Sequence, residues 1–419
     1  MSKIIEKLVY KRLNEHIEQN SILNNCQFGF RKNSSPLHAI VSTTEYIIKN
    51  LDEGKHVVGV FLDLRKAFDV IDHKILLSKL RHYGITEAAL RWCTTYLAER
   101  KQFTVVNDTN SNVKKIDYGV PQGSILGSLF FLIYINDLVG VSDILKTVLF
   151  ADDTNLFHSD SHMISLCRVL NQELRKISTW LNCNKLTINF DKTHFLLFSK
   201  RRTYEEPIVI FNEVRLKEQI QTKFLGVMMD NKLCWKQHIA HVKTKISRII
   251  SILYKIRNSL TTSAKLMLYN SLVLPYLQYC CVAWGSANAT TLRPLKTIQK
   301  RAIRIVKNAN YIDHTLMLFK ETKVLKLNDL IDAEMHKFIQ KQIQLTNPII
   351  PIQYNHEIHN YNTRQRSNLR PPQVRSNLSR NTVSYKGIIN WNNLNPNLKT
   401  LLNPITFKIN LKKSIINSY

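Results

Sequence analysis

Residues 147–157 read Thr147-Val148-Leu149-Phe150-Ala151-Asp152-Asp153-Thr154-Asn155-Leu156-Phe157. Two apolar, strand-like segments flank a pair of adjacent aspartates, the pattern of a hairpin with both acids at its tip. Upstream, Val57-Val58-Gly59-Val60-Phe61-Leu62 is apolar throughout and rich in β-branched residues, the composition of a buried strand, and it stops at Asp63. Three carboxylates thus stand where strands run out. Taken singly, an Asp at a strand end is ordinarily a turn or cap residue. Taken together, these suit the joining of nucleotides, which requires an activated 3′-hydroxyl and neutralised charge on phosphorus. Two Mg²⁺ ions about 3.5–4 Å apart do both, and Mg²⁺ takes a few carboxylate oxygens, completing its shell with water and substrate phosphate.

Outward from these strands the chain reads as helices. Ile4, Ile5, Leu8, Val9, Leu13 and Ile17 recur at helical spacing from the first residues, with no cap before them, the look of a truncated beginning. The turn Phe28-Gly29-Phe30-Arg31 leads to a helix over about residues 36–50. Asp72 is placed to cap a helix from His73 to about Tyr83, and another covers about residues 86–99. Gly119-Val120-Pro121-Gln122-Gly123-Ser124 is a turn that feeds an apolar helix, Ile125 to Ile135. Beyond residue 200, Ile239, Val242, Ile246, Ile249, Leu253 and Ile256 define one long amphipathic helix with Lys243, Lys245, Arg248, Lys255 and Arg257 on its other faces. From about Lys341 onward there is one acid, Glu357, against 11 Lys+Arg, many asparagines and no clear period; a basic, flexible segment is expected there.

The 419 residues are 44% hydrophobic, enough for a large core and for two or three lobes. The formal charge of +28 implies a polyanionic partner, nucleic acid first among them. It is uneven: residues 1–200 hold 25 Lys+Arg against 20 Asp+Glu, residues 201–419 hold 34 against 11. Between Asn231 and Ile312 there is no acid against 14 Lys+Arg, either a solvated face or a grip on a phosphate backbone. Cys26, Cys93, Cys167, Cys183, Cys234, Cys280 and Cys281 form no CxxC modules and read as reduced thiols of an intracellular protein. No apolar leader is present and the longest apolar run, Leu129 to Ile135, is too short to span a bilayer. The expected location is the nucleus or the cytoplasm, with neither secretion nor membrane insertion.

Phe61-Leu62-Asp63-Leu64-Arg65-Lys66-Ala67-Phe68-Asp69, GVPQGSILG at 119–127 and FADD at 150–153 resemble, in their proper order, motifs A, B and C of reverse transcriptases. Gln27-Phe28-Gly29-Phe30-Arg31 is similar to the fingers motif before motif A. Trp180 through Asn184-Lys185-Leu186, Asn189 and Lys192-Thr193 is similar to motif D, and Lys223-Phe224-Leu225-Gly226-Val227 to motif E, the primer-grip hairpin. These six motifs cover about half the chain. Asp72-His73 after motif A, and Trp391-Asn392 downstream, are most similar to non-LTR retrotransposons of the jockey and CR1 type. The resemblance implies an α+β right-hand polymerase fold: fingers and palm over 1–230, a basic helical thumb over 231–340 and a basic Asn-rich region over 341–419. It implies an RNA-directed DNA polymerase that adds dNTPs to a DNA primer on an RNA template. Asp63, Asp152 and Asp153 would hold two Mg²⁺ ions, or Mn²⁺ in their place.

The same resemblance assigns finer roles. Phe68 falls at the steric gate against a ribose 2′-hydroxyl, beside its plainer reading as a core aromatic. Gln122 falls at the incoming nucleotide or template, with Gly123 permitting close backbone approach. Arg31 suits a triphosphate through its forked geometry, or is a surface arginine. Lys192 matches the lysine that protonates pyrophosphate, or is a solvated lysine. Lys243, Arg248 and Lys255 would contact the backbone of the template–primer without regard to sequence. His238-Ile239-Ala240-His241 lacks the glutamate and the i,i+4 spacing of a zinc helix, and Cys280-Cys281 reads as core. Against the family pattern, the sequence opens at Met1-Ser2-Lys3-Ile4-Ile5-Glu6, where the upstream Arg-Pro-Ile-Ser strand would just have ended, so incomplete fingers and a missing endonuclease are expected; Arg65 replaces a small Ser and Ser128 a Pro. Beside an active polymerase stands a second reading, a catalytically dead nucleic-acid-binding remnant with incomplete fingers. A group II intron maturase or telomerase-like polymerase is disfavoured by the wording around motif A.

Overall fold

The apolar run at 57–62 becomes strand β1, His56–Leu62, buried at all seven positions because it lies at the centre of a five-stranded sheet. The computed structural model describes residues 2–98, 100–121, 123–201, 204–358 and 365–419. The chain divides into two compact units, Met1–Ala39 with Lys55–Gln219, and Ile40–Gly54 with Ile220–Tyr419.

The first unit begins with helix α1, Ser2–Gln19; helix α2, Pro36–Asp52, passes from it into the second unit. After β1 come α3, His73–His82, and α4, Glu87–Leu97. Two short ladders follow, β2 (Lys101–Gln102) with β5 (Lys114–Lys115) and β3 (Val105–Val106) with β4 (Thr109–Asn110). Next are α5, Ile125–Ile135, β6, Lys146–Phe150, β7, Asp153–Asp160, α6, Met163–Cys183, and β8, His194–Phe198. The ladder β9 (Ile210–Phe211) with β10 (Val214–Arg215) and strand β11, Lys217–Glu218, complete the unit. The sheet order is β11-β8-β1-β7-β6, antiparallel except for β11 beside β8.

Helix α5 is apolar all round and buried all round, as such a helix must be. Its N-terminus is held from α1: the Ile125 N–H donates to Glu6 Oε2 at 2.9 Å, a carboxylate placed where the helix dipole favours one. The apolar stripe of α1 is only half used, however. Leu13 and Ile17 enter the core, whereas Ile4, Ile5 and Leu8 are 67%, 50% and 62% exposed. Asp72 caps α3 as expected, accepting from the Lys74 and Ile75 N–H groups.

In the second unit, β12 (Gln221–Phe224) and β13 (Val227–Asp230) form a hairpin whose turn, Leu225-Gly226, has φ of +47° and +81°. The Asp230 carboxylate accepts from the Lys232, Cys234 and Trp235 N–H groups and so launches α7, Lys236–Lys255. Ile239, Val242, Ile246, Ile250 and Leu253 are its buried face; Ile250 takes the place expected for Ile249, and Ile256 lies past the helix end, exposed. Helices α8 (Thr262–Leu268), α9 (Leu274–Gln278), α10 (Cys281–Trp284), α11 (Ala289–Lys307), α12 (Thr315–Thr322) and α13 (Leu327–Ile343) follow.

Among the described residues beyond α13 the chain is not the flexible tail expected. It forms α14 (Asn377–Arg380), α15 (Ile388–Asn392), α16 (Pro396–Lys399) and α17 (Pro404–Asn417), and buries Trp391 against Phe407 with ring centroids 5.9 Å apart. Three of these helices are too short to leave a periodic signal.

Glu45 of α2 anchors this region, its Oε1 accepting from the Ser384 N–H at 3.0 Å and its Oε2 from the Ser384 hydroxyl. Burial raises the Glu45 pKa despite those bonds. The folded protein therefore holds this proton more tightly than the unfolded chain. Its contribution to stability is full below the unfolded value, about 4.3, and is lost as pH rises through the raised folded value. Glu45→Gln should flatten that descent in a plot of Tm against pH; an unchanged slope in the variant would exclude Glu45 as its source.

Candidate active site

Antiparallel pairing sets Leu62 of β1 opposite Thr154 of β7 and Phe61 opposite Asn155, so the next pair in register is Asp63 with Asp153. Directly opposed positions have Cβ atoms about 4.5–5.5 Å apart. Phe150 of β6 pairs with Asp153, and the turn between them is Ala151-Asp152. All three aspartates therefore gather at one end of the sheet, in the first unit.

Asp63 is the most tightly held. Its Oδ2 accepts from Asn189 Nδ2 at 3.0 Å and lies 3.8 Å from Lys192 Nζ. Its carbonyl accepts from the Asn189 N–H at 2.8 Å, and its own N–H donates to Thr193 Oγ1 at 3.2 Å. The segment Asn189–Thr193 thus wraps the end of β1. The motif resemblance assigns no role to Asn189 or Thr193; the signal in the sequence is the Asn-x-x-Lys-Thr spacing, which puts two polar side chains around a turn.

Asp153 reaches solvent, yet its pKa is pushed up to about 6, first by the protein packed around its carboxylate and then by the negative charges of Asp152 and Asp63. Mutual repulsion of this kind is relieved by a cation. Lys192, 70% exposed, supplies only one side of Asp63. The donors are carboxylate oxygens, which suits a hard divalent ion. Among the described residues no group of three or more His, Cys, Asp or Glu side chains, these aspartates included, is placed so that it could hold a metal ion as it stands. The aspartates form an open edge, compatible with an ion that draws further ligands from water and substrate.

Around this edge, Phe68 is half-buried, its ring 4.5 Å from Phe131 of α5 and edge-on to Phe30 at 6.5 Å. The motif B turn is fastened to the same segment: the Val120 N–H donates to the Phe68 carbonyl at 2.9 Å and the Gly119 N–H to the Ile71 carbonyl at 2.8 Å. Gly119 has φ of +84°, and a Cβ there would lie 2.7 Å from the Asp69 carbonyl oxygen. Gly123 also has positive φ, +82°, but open space beside it, so its glycine serves conformation and no protein backbone approaches it closely. Gln122 lies outside the described residues. Arg31 is half-buried and spends Nη1 on the Asn24 carbonyl at 2.8 Å.

In the second unit Lys243, Arg248 and Lys255 are all exposed on α7. Arg248 and Lys255, seven residues apart, share a face, while Lys243 lies about 140° round the helix from Arg248. They do not form one row. His238 is buried against Trp284, and its pKa is pushed down to about 4 by burial and by His241; it is a neutral core histidine. All seven cysteines are free thiols, Cys280 and Cys281 buried.

Residues 1–229 match the family described as reverse transcriptase (RNA-dependent DNA polymerase). The chain belongs to the reverse transcriptase family, with its α+β right-hand polymerase fold and its general dependence on a divalent metal. Among its relatives are enzymes of non-LTR mobile elements. It is 28% identical over 356 residues to the RNA-directed DNA polymerase from mobile element jockey of Drosophila melanogaster. To the probable RNA-directed DNA polymerase from transposon X-element of the same organism it is 25% identical over 351 residues. Each match covers 81% of this chain and 38% of the relative, so the chain spans well under half the length of these proteins. A solved structure, apo telomerase from Candida tropicalis, aligns over 78% of this chain and 55% of its own, at 11% identity and a TM-score of 0.41. Among the described residues no helix is long and apolar enough to cross a membrane.

Proposed function

We propose that this chain is the RNA-directed DNA polymerase of a non-LTR retrotransposon, adding dNTPs to a DNA primer on an RNA template inside the cell. The observation that carries this is the sheet edge where the register brings Asp63 beside Asp153 and the β6–β7 turn adds Asp152.

Asp63, Asp152 and Asp153 would hold two Mg²⁺ ions, or Mn²⁺ as substitutes. When bound, such a pair activates the 3′-hydroxyl and neutralises charge on the transferred phosphoryl group. The chain's own residues prepare the site. Asn189 and Thr193 fix Asp63 from both its side chain and its backbone. Lys192, exposed and beside Asp63, can give a proton to departing pyrophosphate. Phe68, braced by Phe131, presents bulk to the sugar, and the motif resemblance would put Gln122 and Gly123 at the incoming nucleotide or template. Arg31 keeps the rest of its guanidinium for the triphosphate while Asn24 holds Nη1.

The basic second unit would grip the template–primer. Removing Arg248 and Lys255 together should lower the slope of log K against log salt by about 0.7–0.9 for each phosphate that is no longer neutralised. Lys243, on a different face, should add to that change independently. A slope equal to the unmodified protein's in fluorescence-anisotropy titrations would mean that these side chains only face solvent. For the function as a whole, the test is extension of oligo(dT) on poly(rA) with Mg²⁺, and incorporation no greater than without protein would count against it.

A further inference from the structure

The turn that carries the acids does not support itself. Ala151 has φ of +54°, a left-handed backbone unfavourable to any residue with a Cβ, and Asp152 and Asp153 follow directly. A distant segment of the same unit holds it. The Leu149 N–H donates to the Cys26 carbonyl and the Phe28 N–H to the Leu149 carbonyl, both at 2.8 Å, which lays Gln27 parallel to Leu149. From there the Gln27 side chain reaches the turn, its Oε1 accepting from the Ala151 N–H at 3.1 Å and from the Gly29 N–H at 2.8 Å. Gly29 is seated so closely that a Cβ on it would lie 2.3 Å from the Ala151 nitrogen.

Gln27 is only 2% exposed. With two N–H groups converging on one oxygen, the amide has one orientation, and that orientation leaves Nε2 buried without an acceptor among the described residues. Native proteins seldom keep such a donor without a compensating purpose. A methionine would fill the same space without the orphaned Nε2, but the Ala151 and Gly29 N–H groups would lose their acceptor. What it would lack is the oxygen that holds Ala151.

We propose that Gln27, seated by Gly29, is a positioning residue for catalysis: it fixes the left-handed backbone of Ala151 and thereby aims the Asp152 and Asp153 carboxylates. It touches neither substrate nor metal and acts only through the turn. The inference rests on the reading of those aspartates as metal ligands.

The test compares Gln27→Met, which keeps the length and removes the acceptor, with Gln27→Glu. The glutamate keeps the length and still presents an oxygen to the Ala151 N–H. In Gln27→Met, hydrogen exchange at the Ala151 amide should accelerate and Mn²⁺ affinity, read by electron paramagnetic resonance, should weaken about 10- to 100-fold, as for other residues that orient metal ligands. The kcat should fall with it while the KM for dNTP holds. Gln27→Glu should recover most of the Mn²⁺ affinity. Should Gln27→Met not fold, Gln27→Asn, which keeps the amide but falls a methylene short, carries the same expectation. Wild-type Mn²⁺ affinity and Ala151 exchange in a folded Gln27→Met would overturn the proposal, as would equal damage from Met and Glu. If the unmodified protein binds no more Mn²⁺ than Asp152→Asn, the metal reading fails instead, and the clamp falls with it.

Discussion

Asp152→Asn should lower RNA-templated DNA synthesis by several orders of magnitude while leaving template–primer affinity nearly unchanged. The amide keeps the size of the carboxylate and can occupy the same turn, since Asp152 contributes only its backbone carbonyl to the contact with the Thr154 hydroxyl. It loses the negative charge that a hard divalent ion requires. It also removes one of the charges that raise the Asp153 pKa, so Asp153 should return toward the ordinary carboxylate range. Affinity should survive if the proposed grip holds, because Arg248 and Lys255 lie on α7, in the other unit from the aspartates. Primer extension and anisotropy on the same preparation check both halves; a matching loss of binding would point to a damaged fold instead.

Phe68→Ala should relax the choice of sugar, raising ribonucleotide incorporation relative to dNTP by on the order of 100-fold, the scale on which shaped pockets distinguish a single hydroxyl. The side chain has two claims on it. One face packs on Phe131, so the substitution will also destabilise the unit, by less than the roughly 3–5 kcal/mol of a fully buried phenylalanine because Phe68 is only half-buried. Single-nucleotide incorporation ratios separate the two roles. A lowered Tm with an unaltered ribonucleotide-to-dNTP ratio would leave Phe68 as a core aromatic and nothing more.

The strands that carry the acids are legible because a fully apolar run and a hairpin pattern each end in carboxylates, and that signal is local. The helices from His73 and from Ile125 announce themselves through a cap and a turn. What cannot be read is what crosses the chain. Asn189 meets Asp63 across 126 positions and Gln27 meets Ala151 across 124, and no periodicity encodes such a pairing. Likewise the spacing of α1 shows an apolar stripe but not that Ile4, Ile5 and Leu8 lie outside the core. The basic residues of α7 are legible as a set, and their spacing of five and seven residues on a helix already turns Lys243 away from the other two. The four-residue and five-residue helices after residue 376 are invisible for want of length.

One measurement bears most directly on the carboxylate edge as the centre of an RNA-directed polymerase: extension of a labelled DNA primer on an RNA template with Mg²⁺, run side by side for the unmodified chain, Asp63→Asn and Asp152→Asn. Robust extension by the unmodified chain, near-complete loss in both variants and retained duplex binding in all three are expected. Synthesis by either variant at the unmodified rate would contradict the assignment of these aspartates. An unmodified chain that binds the duplex but extends no better than Asp152→Asn would instead make it a nucleic-acid-binding remnant.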